Sequence, residues 1–235
     1  MSRFGITFNG KHSYKDFGLL VKERSIGNPS KIKTKERIPY SNQIFDFSKI
    51  YGGQEYEERS ISYVFNLKDY DKVDLSIKRI EILNWLMQPN EKLKLVDDYI
   101  PGYYFLAEVE EGIEYVEKRF NVDITVNFTA YPFKIAELKE GHDIWNEFNF
   151  LLDVAQITDF VIYGSQQVNL INPGATIAVP KIICDSPLKI IKDGIIYTIP
   201  YGETESLDFI LEPGENRMTI EGNGNISFEF YKELV

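Results

Sequence analysis

Hydrophobic and polar residues alternate strictly between residues 120 and 130, which is typical of a β-strand with one buried face. The side chains predicted to face the core there are Phe120, Val122, Ile124, Val126, Phe128 and Ala130. The same alternation recurs at Ile61, Tyr63, Phe65 and Leu67. Residues 93–97 and 103–109 flank a Pro101-Gly102 turn signal, so they are predicted to form two further strands.

One segment, residues 69–89, has the periodicity of a helix. Apolar residues recur there at spacings of three and four, at Val73, Ile77, Ile80, Leu83 and Met87. We predict that this face covers a sheet and is widened by Leu75, Ile82 and Leu86. Asp69 or Asp71 is expected to cap the helix, and Pro89 is expected to end it.

Beyond residue 150 the chain has few helical patterns and many turn signals. Asp193-Gly194 and Asn223-Gly224 each separate two strand-like segments and predict β-hairpins, because a type I′ turn needs positive φ at both central positions. Charged residues are dense between residues 134 and 150. We therefore predict a mainly β (α+β) protein with domains at 1–135 and 151–235, joined by a linker at 136–150, the second domain being a β-sandwich.

The composition excludes several classes of function. The 235 residues include 36 acidic and 26 basic side chains, and this net charge of −10 disfavours a nucleic-acid partner. Cys184 is the only cysteine, so neither an intrachain disulfide nor a cysteine-rich zinc site is expected. No segment resembles a membrane span or an export signal. We expect a soluble protein, made in a reducing compartment, with no membrane partner.

No group of residues forms a recognisable catalytic or metal-binding pattern. Asp97-Asp98 and Glu110-Glu111 would suit a glycosidase, but adjacent acids are common in so acidic a chain. They are predicted to be solvated turn residues. His12 and His142 lack metal-site spacing and are predicted to lie at the surface, whereas Cys184 is predicted to be buried. We expect no enzymatic activity and no cofactor or metal.

Residues 31–56 are basic and aromatic within this acidic chain. The candidate residues for an interface between subunits are Lys33, Lys35, Arg37, Tyr40, Phe45, Phe47 and Tyr51. One interpretation is an exposed hairpin whose lysines protect a strand edge. The other is an arm that packs on a neighbouring subunit, where its apolar residues are covered only after assembly. The residues alone leave both open.

Long stretches of the chain resemble a known family. The opening FGITFNGKHSYKDFGLLVKERS is similar to the start of the distal tail proteins (Dit) of long-tailed phages that infect Gram-positive bacteria. ERIPYSN, the strand over 56–67, LNWLMQPNEKLKLVDD and PGYYFLAEV resemble the first domain of that family. The ending EPGENRMTIEGNGNISFEFYKELV resembles the closing strands of its second domain. The resemblance covers nearly the whole chain and rests on structural rather than catalytic motifs.

The resemblance implies an N-terminal β-sandwich with one helix and a hairpin arm, followed by a galectin-like or carbohydrate-module-like β-sandwich. It also implies a homo-hexameric ring that joins the tail tube protein to the tail-associated adhesion or fibre protein and, in some members, to receptor-binding proteins. Such a structural hub would belong to the tail tip of the virion, after assembly in the host cytoplasm.

A second function remains open, namely a carbohydrate-binding module for host cell-wall polysaccharide. Tyr163, Tyr197 and Tyr201 in the second domain are candidates for stacking on sugar rings. Aromatic residues in such a sandwich also fit a core or an interface, and 235 residues leave no room for a large inserted module.

Overall fold

The protein is mainly β in the computed structural model, which describes residues 4–48, 50, 53–69, 71–119, 121–144 and 148–235. Strands account for 49% and helices for 9%, which confirms the predicted fold class. The chain divides into two compact units, one from Met1 to Lys134 with Val235, the other from Ile135 to Leu234. Residues 136–150, the predicted linker, belong to the second unit.

The first unit is an antiparallel sheet with two helices and a separate hairpin. Its elements are β1 (Ile6–Phe8), β2 (Lys11–His12), α1 (Ser13–Phe17), β3 (Leu20–Ile26), β4 (Lys35–Arg37), β5 (Ile44–Asp46), β6 (Arg59–Lys68), α2 (Lys72–Met87), β7 (Leu93–Asp97), β8 (Tyr103–Glu108), β9 (Glu114–Glu117) and β10 (Asn121–Ala130). The sheet order is β2-β1-β7-β8-β10-β6-β3, and β9 also pairs with β10. Strands β4 and β5 pair with each other.

The core of the first unit confirms the two alternating patterns. Strands β6 and β10 pair in unbroken register from Asn121↔Lys68 to Ala130↔Arg59. The predicted inward residues are all at most 1% exposed, namely Ile61, Tyr63, Phe65, Leu67, Val122, Ile124, Val126, Phe128 and Ala130. Phe120 lies outside the described residues. Period-two burial therefore fixes which face of each strand forms the core.

Helix α2 lies where it was predicted, and the residues predicted to widen its apolar face, Leu75, Ile82 and Leu86, are buried. The centre of the predicted face, however, points away from the sheet. Asp71 is the N-cap and accepts the backbone N–H of Val73 at 2.7 Å, and Gln88 is the C-cap. The buried residues are Leu75, Ile82, Trp85 and Leu86. The predicted face is largely exposed at Val73, Ile77, Ile80 and Met87.

The contacts of Trp85 explain why this face of α2 is the buried one. Its indole N–H donates to the carbonyl oxygen of Phe8 at 2.7 Å, and its ring lies 4.7 Å from the ring of Phe17. A tryptophan buries a large area and needs a partner for its N–H, and only the side facing β1 and α1 supplies both. The helix is therefore apolar on two faces, of which the chain itself covers one.

The second unit is built around two long, paired strands. Its elements are β11 (Lys134–Ala136), β12 (Asp159–Asn172), β13 (Lys181–Cys184), β14 (Leu188–Lys192), β15 (Ile195–Ile199), β16 (Gly202–Thr204), β17 (Gly214–Glu229) and β18 (Glu233–Leu234). The sheet order is β15-β14-β17-β13-β16, with β12 also paired to β17, and β11 pairs with β18. Its core gathers apolar residues from β12, β13, β14 and β17, including Leu170, Ile182, Ile190 and Phe228.

One of the two predicted hairpins in this unit is correct and the other is wrong. Asp193 and Gly194 have φ of 53° and 78° and join β14 to β15, as predicted. At Asn223-Gly224, however, β17 continues, and β12 pairs with it from Asp159↔Ser227 to Asn172↔Gly214. Gly222 and Gly224 have φ of 130° and 153°, so the glycines let an extended strand deform without reversing it.

Replacing Gly224 with alanine is expected to destabilise the second unit by about 1–3 kcal/mol. A Cβ there would lie 2.0 Å from Ser186 Oγ and 2.5 Å from Asp185 Oδ1, in a backbone conformation that glycine favours. Urea denaturation followed by circular dichroism measures the change. Gly194→Ala is the control, because its Cβ would meet nothing within 4 Å. Equal losses for both variants would refute the steric argument.

Candidate assembly surface

Residues 31–56 are called the arm below, and within them β4 and β5 form a hairpin that is separate from the main sheet. An isolated bridge between Lys31 and Tyr56 closes its base, where Ile32 N–H donates to the Glu55 carbonyl at 2.9 Å. Among the strands that the structure describes, β4 and β5 pair only with each other. All six of their residues are exposed, so no core of this chain covers the hairpin.

The register of the hairpin separates aromatic from basic side chains. Phe45 lies opposite Glu36, and Phe47 bonds to Thr34, so both rings lie on one side, 6.0 Å apart. We call Phe45 and Phe47, which are 54% and 40% exposed, the aromatic face. Alternation places Lys33, Lys35 and Arg37 on the other side, the basic face. The aromatic rings share their side with Glu36, and the basic side chains share theirs with Ile44 and Asp46. None of the residues of the arm that the structure describes is buried.

Hydrogen bonds of its own give the arm a defined shape. The hydroxyl and the backbone N–H of Ser48 hold the pKa of Asp46 down at about 2, and Lys33, 3.3 Å away, acts in the same direction. Tyr40 lies at the turn with φ of 60° and is fully exposed. Of the candidate residues of the arm, the structure describes all except Tyr51.

Helix α2 adds a second exposed apolar surface, which the sequence prediction had placed in the core. We call Val73, Ile77, Ile80 and Met87 the helix stripe, and they are 67%, 51%, 54% and 43% exposed. The sequence also contains a signal for the buried face of α2, because Leu75, Ile82 and Trp85 follow helical spacing as well. A helix with two apolar faces has more apolar surface than one sheet can cover.

The three candidate sugar-stacking tyrosines have different surroundings. Tyr163 on β12 is 80% exposed, and Tyr201, after β15, is 74% exposed. Tyr197 instead packs edge-on against Phe209, with ring centroids 5.0 Å apart, at the margin of the core. A groove of about 440 Å³, of which Tyr163 is not a lining residue, is formed by Asp159, Phe160, Val161, Ile183, Asp185, Asn225, Ile226 and Ser227.

The prediction that Asp97 is a solvated turn residue is wrong. It ends β7, is 1% exposed, and one of its oxygens accepts from the Tyr63 hydroxyl and from Arg24 Nε, both at 2.7 Å. Its other oxygen accepts the backbone N–H of Tyr99 at 2.9 Å. Burial, followed by the charge of Asp97, raises the pKa of Tyr63, so the hydroxyl is protonated and donates. Through these contacts the carboxylate links β6, β7 and β3, so its role is structural.

The prediction that His12 lies at the surface is also wrong. It is 6% exposed and caps α1, where its Nδ1 accepts the backbone N–H groups of Tyr14 and Lys15 at 3.1 Å. Its Nε2 lies 3.0 Å from Asp98, which also accepts the N–H of Gly5. Since Nδ1 accepts two hydrogen bonds, Nε2 carries the proton. The His12–Asp98 pair therefore has a structural role: His12 caps the N-terminus of α1, and Asp98 holds the imidazole in place.

The remaining candidates for chemistry are also engaged or buried. Cys184 is 3% exposed as predicted, and burial, with a smaller effect of Asp185, raises the pKa of its thiol to about 11. Glu110 accepts from the hydroxyl of Thr129 at 2.8 Å, and His142 Nδ1 accepts the N–H of Ile144 at 3.3 Å. Within the described ranges, no three His, Cys, Asp or Glu side chains are placed to hold a metal ion. No helix in those ranges is long and apolar enough to cross a membrane.

Part of this chain matches a known protein family in sequence. Residues 49–130 match the family model of the phage tail protein RIFT-related domain. The matched segment contains β6, α2 and β7 to β10. The match covers less than half of the chain. No curated protein matches the chain in sequence.

Solved structures extend the likeness to the whole fold. The Dit protein of phage SPP1, described as a paradigm of the hub adsorption apparatus in phages that infect Gram-positive bacteria, has a TM-score of 0.68 at 15% identity. The alignment covers 100% of both chains, so the resemblance to distal tail proteins is confirmed for the fold. A chain of the activated phage p2 baseplate with strontium has a TM-score of 0.44 at 9% identity, covering 98% of this chain and 97% of that chain. That score is too low to establish a common fold.

Proposed function

We propose that this protein is the structural hub of a phage tail tip, a distal tail protein. In this proposal it forms a hexameric ring that joins the tail tube protein to the tail-associated adhesion and baseplate proteins. The observation that carries the proposal is the likeness in fold to the SPP1 Dit over the full length of both chains. The phage tail domain at residues 49–130 supports it independently. The hub belongs to the virion, after assembly in the host cytoplasm.

The arm and the helix stripe support self-assembly. A cyclic ring needs two different surfaces on each subunit, one that donates and one that receives. An isolated two-stranded hairpin is only marginally stable in water, so an exposed arm gains most when a neighbour covers it. The basic face of the arm also gives an acidic protein a region of opposite potential, which favours one orientation of docking. Receptor-binding proteins are further candidate partners at the tail tip.

Replacing both Phe45 and Phe47 with serine is expected to weaken assembly by about 30-fold or more, since buried aromatic anchors carry much of an interface's energy. The fold should be unchanged, because both side chains are exposed. Size-exclusion chromatography with light scattering over a concentration series measures the effect. The matched control replaces Ile195 and Ile196, which are 54% and 63% exposed on β15, with serine. Equal assembly of the arm variant and the wild type would refute a role for the arm.

Carbohydrate binding by the second unit is the second candidate function. It is favoured by the groove between β12, β13 and β17, where Val161 and Ile183 offer an apolar floor and Asp159 offers an acceptor. Asp185 in the same groove already accepts from the backbone and the side chain of Asn225. Exposed Tyr163 follows Val161 by two residues, so it lies on the same face of β12. Binding to purified cell-wall polysaccharide that is lost in Tyr163→Ala but kept in Tyr201→Ala would establish this function. A negative result across a glycan array would exclude it.

A further inference from the structure

Three ionisable side chains are buried together in the second unit. The side chain of Lys232, between β17 and β18, is 4% exposed, and it contacts Asp153 and Glu140, which are 9% and 4% exposed. We call these three residues the buried triad. Lysines in surface ion pairs of this protein, such as Lys22 and Lys139, are 47% and 41% exposed. Side chains of these types are rarely buried to this extent, so the triad needs an explanation.

Hydrogen bonds hold the members of the triad in place. The backbone N–H of Glu140 donates to the carbonyl of Phe230, two residues before Lys232, at 2.9 Å. One oxygen of Asp153 accepts the backbone N–H of Asn149 at 2.6 Å, and its other oxygen, Oδ1, contacts Nζ of Lys232. The amine therefore lies beside the carboxyl carbon to which Oδ1 is bonded. Two groups held in contact in this way react as if at a very high concentration.

Glu140 stands beside the same amine. Its Oε1 lies 3.4 Å from Nζ of Lys232, and its Oε2 lies 3.4 Å from Nε2 of Gln156. The amide of Gln156 is itself held by two hydrogen bonds to the backbone of Ile171, at 2.7 and 2.8 Å. Burial raises the pKa of Glu140, although Lys232 and Gln156 act in the other direction. A carboxyl group that keeps its proton at this position can transfer it during a reaction of the amine.

The charges of the triad do not balance. With all three groups ionised, two negative charges and one positive charge would be buried, which is costly. Burial also opposes the ionisation of Asp153, but the N–H of Asn149 and the ammonium of Lys232 outweigh it and lower the pKa of this carboxyl. Transfer of a proton from Nζ to the carboxylate neutralises the pair. Condensation of the two neutral groups to an amide removes both charges permanently.

We propose that the buried triad forms an intramolecular isopeptide bond between Nζ of Lys232 and Cγ of Asp153. The neutral amine attacks Cγ of the protonated carboxyl, and the C–N bond forms. Glu140 donates its proton to the departing oxygen and regains one from the nitrogen, so the C–O bond breaks and one water molecule leaves. Glu140 is unchanged at the end, and no other reactant is needed. The bond closes a loop that contains most of the second unit, and it does not depend on the proposed function.

The intact mass of the purified wild type tests this bond directly. We expect a mass lower than that of the sequence by one water molecule, and a branched tryptic peptide that joins the segment of Asp153 to that of Lys232. Lys232→Ala, Asp153→Ala and Glu140→Gln should keep the full mass. Lys139→Ala is the matched control, because this lysine pairs with Glu229 at the surface, and it should still lose the water.

Two outcomes of the mass measurement overturn the inference. The first is a wild type that keeps its full mass after prolonged incubation, which makes the triad an ion-pair cluster only. The second is a loss of water that persists in Lys232→Ala, since a succinimide at Asp193-Gly194 would produce it without any branched peptide. Both outcomes are read without reference to ring formation, so they leave the hub proposal intact.

Migration in a denaturing gel gives a second readout, which an ion pair would not change. A covalent loop keeps the unfolded chain more compact, whereas ion pairs are lost in boiling detergent. We expect the wild type and Lys139→Ala to migrate faster than Lys232→Ala and Glu140→Gln. Equal migration of all four proteins would contradict the covalent bond, and the mass of the wild type decides the question even if a variant fails to fold.

Discussion

Replacing Trp85 with alanine is expected to lower the free energy of unfolding of the first unit by about 3–5 kcal/mol. The variant loses a side chain that is 3% exposed, leaves a cavity between α2 and the sheet, and removes the hydrogen bond to the Phe8 carbonyl. The rings of Phe8 and Phe17 lose their contacts with the indole in the same step. Hydrogen exchange measured on the peptides covering β6 and β10 reports the stability of this unit.

Met87 provides the matched control on the same helix. It lies two residues further along, on the helix stripe, and is 43% exposed. Met87→Ala should change the free energy of unfolding by less than about 0.5 kcal/mol, as surface substitutions usually do. If Met87→Ala destabilised the unit as much as Trp85→Ala, the assignment of the buried face would be wrong.

Replacing Asp97 with asparagine is expected to cost about 3 kcal/mol, because a hydrogen bond to a buried charge is worth about twice a neutral one. Tyr63 and Arg24 both donate to the same oxygen of Asp97, and the carboxylate is almost completely buried. The neutral amide removes the attraction to Arg24 and weakens the bond from Tyr63 while keeping the shape of the side chain. Urea denaturation of the variant measures the loss.

Tyr63→Phe separates the effect of the charge from that of one hydrogen bond. It removes only the hydroxyl and should cost about 1 kcal/mol. The Arg24–Asp97 contact at 2.7 Å remains in this variant. A cost of Asp97→Asn no larger than that of Tyr63→Phe would mean that the buried charge contributes nothing to stability.

The strand elements could be predicted because their burial is regular. In β6 and β10 the apolar side chains at alternate positions are buried, and a pattern of period two carries that information in the sequence itself. The hairpin at Asp193-Gly194 was predictable for a similar reason, since both residues need positive φ in a type I′ turn. Asn223-Gly224 has the same chemistry but lies within β17, because the long partner strand β12 continues past it. Whether such a dipeptide forms a turn or continues a strand therefore depends on the strand that pairs with it.

The buried polar contacts and the orientation of α2 could not be predicted from local sequence. Asp97 looks like a turn residue beside Pro101-Gly102, and its burial depends on Arg24 and Tyr63, which are far away in the chain. The exposed hairpin at residues 35–46 agrees with both interpretations of the basic and aromatic segment, and its role as an interface arm stays a prediction. The helix stripe was predicted as core, since spacing alone does not say which of two apolar faces meets the sheet.

The measurement that tests the central proposal most directly is the shape and symmetry of the assembled protein. Averaged electron micrographs of the purified chain, alone and with its tail partners, show both. We expect closed rings with sixfold symmetry, in which the first unit forms the ring, and the loss of these rings in the Phe45→Ser/Phe47→Ser variant. Monomers at every concentration and with every partner, or open filaments in place of rings, would contradict it.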